Sequence, residues 1–538
     1  MKFLSPIGHP SPRKKTTRYT CSMRIIVLLA VLLPLITGAQ KLYHDEVLEG
    51  LTPGSFAFGV ASGDPRPNAV VLWTKYLPEE GDSVVTVNYA VALDSLFTAP
   101  VSRGSVQALA KNGFTVLVEP QTLSPGTRYY YRFSTDGGAV SEVGRTRTAP
   151  EDPSQVRFAV VSCAQYGDRY YNGYAMIAER DDLDAVIHLG DYIYEQGSNR
   201  SKARPHLPPH AIVSERDYRT RYAQYRLDRD LLELHRLHPM IAIWDDHEFA
   251  NNSHRDGAGW HSAAEGTWER RKAAAMAAYF EWIPVMFAAN GGVERRFDFG
   301  NLAELYMIDG RMERDKPVAD YRDPERFDPN RSKLGDAQTE RLTEWLRDSN
   351  AHWKIMGNNV MFSEVDLGRM ARDIRFNMDA WDGYPANRNQ IYDTLDAHAV
   401  RNLLVLTGDI HTAWGIELTR SPRDKQVYRR KAESAVYGAE FVSQSVSSFN
   451  VDEFFGRVLG KLAGRYMGSR RRNPHVHYRN VVDHGYLLIE LTREAAVATW
   501  HFTRDPYERT LDERPARQMV LPHGGRLGEA EKLKRAPR

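Results

Sequence analysis

Four short apolar runs in this chain end in residues that bind metals or move protons: RFAVVSCAQ (157–165), AVIHLGDYIYE (185–195), IAIWDDHE (241–248) and LLVLTGDIH (403–411). A strand buried on both faces reads as a continuous Val/Ile/Leu run, and an open α/β sheet collects its ligands beyond the carboxyl ends of its strands. The pattern predicts an α/β fold whose strand ends converge on one site. Cys163, Asp191, Tyr194, Asp245, Asp246, His247, Asp409 and His411 would meet there. That is more carboxylate and imidazole than a packed core holds unpaired, so a metal-centred enzyme is the leading expectation.

The chain has 538 residues, and because a single core stops growing near ~250–300 residues, two domains are expected. The N-terminus has a different character. RKKTTRYTCSMR (13–24) is basic, IIVLLAVLLPLI (25–36) is apolar, and TGA (37–39) offers small residues for cleavage, the layout of a secretory signal peptide. The apolar stretch has 12 residues, short of the ~17–20 that span a bilayer. It reads as a leader removed at 1–39, with Met23 as an alternative start and a retained anchor helix as the competing reading. Six of the 71 Lys and Arg and none of the 69 Asp and Glu fall in 1–39, so the remainder holds 65 basic and 69 acidic residues, a net charge of −4. That balance favours neither nucleic-acid recognition nor recruitment to a membrane by charge. Cys21 lies in the leader, leaving Cys163 as the one cysteine of the mature chain. An internal disulfide is then excluded, and the thiol is inert in the core, paired with another chain, or functional. A secreted or periplasmic protein without stable membrane insertion follows.

From 51 to 148 alternating apolar and polar residues are separated by turn signals such as Gly-Asp-Pro and Ser-Pro-Gly-Thr. LSPGTRYYYRF (123–133) reads like a late strand of an immunoglobulin or fibronectin-like domain, so residues 40–150 are expected to form a small β-sandwich. A Pro-containing linker (149–155) follows. Helices then alternate with strands, as in an α/β catalytic domain spanning 151–520, and 521–538 reads as a polar tail. AEFVSQSVSS (439–448), GYLLIELT (485–492) and AVATWHFT (496–503) read as antiparallel strands that close it. Two polar Gly/Pro-containing segments, 196–212 and 251–266, each follow a site motif; they are either walls of a substrate cavity or plain connectors.

In GDYIYE a carboxylate and a phenol stand three residues apart just past a strand, and the phenolate of Tyr194 would suit a strongly Lewis-acidic metal. Alone, Gly-Asp is equally a turn or cap. TGDIH repeats it and adds His411 two residues on, on the same side of an extended chain as Asp409. In WDDHEFANN, His247 could be a general acid or a phosphate donor, and Asp246 or Asn251 could hold a hard cation; a capped helix start is the plainer alternative. Cys163 is by itself a small buried hydrophobe, but beside these motifs it becomes a thiolate ligand. Thiolate, phenolate and imidazole favour a transition metal, while carboxylate and amide oxygens favour a second, harder ion.

The ordered set SCAQ, GDYIYE, WDDHEFANN, WKIMGNNVMFS, DAWDGYPANR, TGDIHTAW and EFVSQSVSS resembles the alkaline phosphatase D family, within the calcineurin-like metallophosphoesterases, over residues 52–510. The resemblance implies an αββα sandwich preceded by a β-rich domain, and a centre containing Fe3+ and Ca2+, other divalent ions staying open. By motif, Cys163, Asp191, Tyr194 and His411 would hold iron, and Asp191 would bridge to calcium. Asp409 with Asn251 or Asp246 would complete the calcium ligands, and His247 stands in the place of a general acid or phosphate-contacting histidine. The chain has DDHE and GDIH where the superfamily usually has GNHE and GHxH, which fits the D family and speaks against an ordinary two-histidine site. MIDGRMERD (307–315) departs from a usual element and leaves the role of Arg311 open. Arg388 and the run 470–472 could add phosphate contacts, although a solvated face also accounts for that run. The expected activity is secreted, metal-dependent hydrolysis of phosphate mono- or diesters, on a small-molecule or polymer substrate. The alternatives are a phosphodiesterase or phospholipase D-type enzyme on this scaffold, or an exported binding protein without catalysis.

Overall fold

Alternation along the strand Leu403–Thr407 sets the layering: Leu404 and Leu406 face one core, Leu403 and Val405 another. The same division separates Leu305 and Met307 from Tyr306, and Ile355 from Met356, in the strands Ala303–Met307 and Trp353–Asn358. Successive side chains of a strand point to opposite faces, so a sheet apolar on both faces must be covered on both. Here a second sheet covers one face, and the helices Asp336–Asp348 and Pro385–Ala397 cover the other. The computed structural model describes residues 42–197, 204–287, 291–368, 375–431 and 435–533. The leader expected at 1–39 lies outside the described residues.

The first sheet has ten strands, with Val156–Val161, Ala185–His188 and Pro239–Ala242 parallel at its centre. The second has seven, four of them consecutive and parallel: Ala303–Met307, Trp353–Asn358, Leu403–Thr407 and Gly438–Val442. The sheets meet through Phe158 on Phe299, with ring centroids 4.8 Å apart, and through Trp500 on Phe441 at 6.0 Å. The Trp500 indole N–H crosses between sheets to the Val442 carbonyl at 2.9 Å. Helices Glu215–Arg226, Arg229–Leu237 and Trp268–Trp282 pack on the first sheet, the last ending at Ile283 before Pro284. The outcome is a mixed α/β fold built on two large sheets. One strand corrects the antiparallel expectation: Gly438–Val442 runs parallel to Leu403–Thr407 and antiparallel only to Ala413–Leu418.

The N-terminal β region is not a free-standing sandwich. Strands Val84–Ala92, Ser102–Leu109, Arg128–Thr135 and Gly144–Arg147 form a four-stranded sheet whose Val87, Val91, Tyr131 and Phe133 pack on Val60, Leu72 and Val116. Those last three residues lie on Val60–Gly63, Val71–Lys75 and Thr115–Val118, which are the edge of the ten-stranded sheet. Ser62 and Gly63 pair in parallel with Pro239 and Met240. Alternation shows that a strand has two faces, but not that its hydrogen-bonding edge continues a sheet formed 180 residues later. The segment read as a polar tail also differs. Arg526 grips the buried Glu417 carboxylate, the Leu527 amide donates to the same carboxylate at 3.0 Å, and Leu527 is buried.

Candidate metal centre

The strand ends leave the sheets through left-handed residues that themselves carry the donor side chains. Cys163 (φ 60°), Asp191 (φ 55°), Asp409 (φ 62°) and His411 (φ 59°) all adopt this conformation. Non-glycine residues avoid it by roughly 1–2 kcal/mol each, and such strain collects at functional sites. Backbone hydrogen bonds hold it in place. The Cys163 amide donates to the Gly190 carbonyl (3.2 Å), Ala164 to Asp191 (2.9 Å), and Ser447 and Ser448 to Cys163 (3.3 and 3.2 Å). The glycine of each Gly-Asp pair is required by close approach: a Cβ on Gly190 would stand 2.4 Å from the Asp245 Cβ, and one on Gly408 2.8 Å from the Ser162 side chain.

Three donor groups result, each with ligand atoms within 4.8 Å of one another: Cys163, Asp191 and His411; Asp191, Asp246 and His247; and Asp245, Asp246 and Asp409. Asp191 belongs to two groups and Asp246 to two, so the donors form one continuous cluster. Tyr194 joins the first, its hydroxyl donating to Asp191 Oδ2 at 3.1 Å and lying 3.2 Å from His411 Nε2. His411 Nδ1 faces the Phe449 carbonyl, which leaves the Nε2 lone pair for a ligand. Burial lowers the His411 pKa to about 4, keeping it neutral.

Too little positive charge faces these acids. Burial, then the neighbouring carboxylates, pushes Asp191 and Asp409 well above the usual carboxylate range. Burial and Asp191 likewise raise the Cys163 thiol and the Tyr194 phenol. Arg311, fully buried, pairs with Asp245 and Asp379 and lies 3.5 Å from Asp246 and 3.4 Å from Asp409. Its role is that of an internal counter-charge. Asp379 is further shared with Arg314 at 2.6 Å. Even so, Asp245 Oδ2, Asp246 Oδ1 and Asn359 Oδ1 are buried without a hydrogen-bond donor. Unpaired buried oxygens of this kind are expensive. The donor set therefore fits cations: three oxygens for a hard ion, and thiol, phenol, imidazole and carboxylate for a transition metal.

His247 has a different environment. Its Nδ1 is 2.6 Å from Glu195 Oε2, while Glu195 Oε1 accepts the Asn251 amide at 2.8 Å. The ring stacks on Tyr194 at 4.1 Å and meets the edge of Trp260 at 6.3 Å. Burial alone would lower its pKa, but Glu195, Asp191 and Asp246 outweigh burial and hold it well above the usual value, protonated. His247, His411, Tyr194 and Asn251 line a cavity of about 430 Å³ with Trp260 and Arg169. Gln196 and His206 of one candidate loop and Asn251 and Trp260 of the other are on its wall, so both loops border it.

All the predicted site residues except Asn251 fall within the three groups or touch them; Asn251 lines the cavity wall, its backbone amide held by the same Glu195 carboxylate that holds His247. Arg388 is instead buried against Asp382 at 2.9 Å and the Phe362 carbonyl. Arg470 is exposed beside Glu529, and Arg472 lies over the Tyr466 ring, so none of these lines the cavity. Four further residues of the site, Glu195, Ser448, Glu248 and Asn359, lie inside the same motifs. Glu195 orients His247, and Ser448 donates to the Tyr194 hydroxyl at 2.7 Å. Glu248 accepts the amides of Asp191, Tyr192 and Asp245 at 3.0, 2.6 and 2.8 Å, tying two strand ends together. Asn359 follows the strand Trp353–Asn358, its side-chain amide donating to the Trp244 carbonyl at 3.3 Å.

Comparison with known proteins agrees along the chain. Residues 158–500 match the family model described as PhoD-like phosphatase, and residues 48–150 match that of its N-terminal domain. Alkaline phosphatase D of Bacillus subtilis (strain 168) is 37% identical over 474 residues, covering 83% of this chain and 77% of that protein. A solved structure of PhoD superposes with a TM-score of 0.79 at 32% identity, covering 90% of this chain and 93% of the other. The purple acid phosphatase PPD1 from yellow lupin seeds shares the fold at a TM-score of 0.51 and 11% identity, covering 86% and 73%.

Proposed function

The chain belongs to the PhoD-like phosphatase family and is a phosphoric ester hydrolase, and from that premise we propose that it is an exported enzyme whose hydrolysis of phosphate mono- or diesters depends on iron and calcium. The observation that carries this reading is the continuity of the donors: Asp191 and Asp246 each serve two groups, and the buried Asp245 Oδ2, Asp246 Oδ1 and Asn359 Oδ1 make no hydrogen bond. Cys163, Asp191, Tyr194 and His411 would hold Fe3+. Asp246, Asp409 and Asn251 would supply Ca2+ ligands, to which Asp245 and Asn359 add oxygens. Bound cations supply Lewis acidity that offsets the charge of the phosphate and activates water.

The chain's own groups do the rest. His247 reaches the cavity as an imidazolium, with Glu195 fixing its ring and holding its Nδ1 proton. Its Nε2 proton is the one donated to the departing ester oxygen. Stacking on Tyr194 keeps the imidazole plane fixed while the proton moves. Asp246 is held ionised: burial opposes the charge, but Arg311, His247 and the Asn252 amide at 2.5 Å more than compensate. The leader at 1–39 would direct the enzyme out of the cytoplasm, to the periplasm or the medium.

Elemental analysis of protein purified without added metal, paired with rates on an aryl phosphate and an aryl phosphodiester, tests the proposal. Iron and calcium that copurify and whose removal by chelation abolishes both rates are expected. A metal-free preparation with full activity would sink it.

A further inference from the structure

The helix Val451–Met467 buries Met467 in the core but carries an aliphatic stripe on its outer side. After a break at Gly456 (φ 76°) it turns its glycines toward the protein. A Cβ on Gly460 would stand 2.9 Å from Val482, and one on Gly464 2.9 Å from Val481. The opposite side carries Val458 (74% exposed), Leu459 (56%) and Leu462 (50%). With ~100° between successive residues, these three and Tyr466 fall within one arc of about 100°, facing away from the glycines. An ordinary surface helix does the reverse, burying its aliphatic stripe. The close glycine packing sets which side is docked and leaves the aliphatic stripe facing outward.

Charge identifies the occupant. Residues 461–472, KLAGRYMGSRRR, contain five Lys and Arg and no Asp or Glu, in a chain whose remainder beyond the leader is net acidic. Lys461 and Arg465 flank the apolar arc on one side, and Arg472 lies over the Tyr466 ring at 3.7 Å. The net charge of the whole chain concealed this local excess. Aliphatic side chains beside a basic rim are the composition that lies in the plane of an anionic bilayer, with the apolar side in the acyl boundary and the cations among the phosphates. A cationic rim on both partners would oppose pairing with a second copy. No helix among the described residues is long and apolar enough to cross a membrane, and surface docking requires none.

We propose that the helix Val451–Met467 docks the enzyme on anionic lipid surfaces. Asn450 caps the helix directly after Phe449 of the cavity wall, so the cavity would stay within one helix length, about 25 Å, of the bilayer. Phosphate esters displayed at a lipid surface would then be met at high local concentration.

Flotation of the metal-loaded exported enzyme, without the leader 1–39, with phosphatidylglycerol/phosphatidylcholine vesicles and with pure phosphatidylcholine vesicles, at low and high salt, tests this. Binding to the anionic vesicles that weakens with salt is expected. The exposed double variant Leu459→Ser/Leu462→Ser should lower partition by about tenfold or more, and Lys461→Gln/Arg465→Gln by about fivefold or more. Both should keep wild-type turnover of a soluble aryl phosphate, which establishes that they are folded. Wild type and variants floating equally, or no binding to anionic vesicles, would overturn the proposal. So would a concentration-dependent dimer in sedimentation that Leu459→Ser/Leu462→Ser dissolves, since that assigns the face to a second copy.

Discussion

His247 is gripped by Glu195 on one nitrogen and by the Tyr194 ring on its face, an arrangement that fixes where its proton points. Replacing it with Asn should lower kcat by about 10²–10⁴-fold, the usual contribution of a positioned acid. Metal content should stay unchanged, and a variant that loses iron along with activity would reassign His247 to the ligands. Arg311 acts on stability. Without it, Asp245 and Asp379 lose their principal cation, so Arg311→Met should destabilise the metal-free protein by about 3–5 kcal/mol in urea unfolding. Glu417 carries a pH dependence. Burial would raise its pKa, but bonds from Arg526, His477 and Tyr428 lower it to about 2, below the ordinary 4.5. A depressed carboxylate contributes stability that is fully present above pH 4.5 and is lost as pH falls toward 2. Glu417→Gln should therefore unfold more easily at neutral pH, by about 2–3 kcal/mol, and show a shallower loss in acid.

At the scale of elements, the two Gly-Asp turns let neighbouring strand ends come close enough for their donors to meet. Gly190→Ala places a Cβ against Asp245 at a φ of 101°. Overpacking and strain together should cost about 2–3 kcal/mol, with metal retention falling alongside. Thermal unfolding and metal analysis of one preparation check both. These turns show what sequence made legible. Apolar runs ending in Cys163, Asp191, His247 and His411 named the strands and their donors, because a buried parallel strand and its polar end are both local patterns. Asn359 and Glu248 do not stand out in the sequence, because each acts on backbone groups at the end of another strand: the Trp244 carbonyl for one, the Asp191 and Tyr192 amides for the other. The direction of Gly438–Val442 is set in a like way, by pairing in parallel with Leu403–Thr407 while the intervening Ala413–Leu418 takes its other edge.

At the scale of the molecule, the N-terminal strands complete the ten-stranded sheet, whereas local turn signals suggested a separable sandwich. Deleting residues 42–150 would bare the Pro239–Ala242 edge and the face of Trp282 that Phe58 and Trp73 cover. The truncated chain should be insoluble or inactive; a soluble deletion with full turnover would show that the catalytic layers close without it. The same two sheets bring donors from strands some 250 residues apart, Val156–Val161 and Leu403–Thr407, to a single centre. Iron held there by the Tyr194 phenolate would absorb visible light by phenolate-to-metal charge transfer, so the visible spectrum of the as-purified protein reads the centre directly. A band whose resonance Raman spectrum carries phenolate ring vibrations, present in wild type and absent from Tyr194→Phe with calcium retained, is the predicted result; a fully active wild type without those vibrations, or a Tyr194→Phe variant that keeps them, would contradict the assignment.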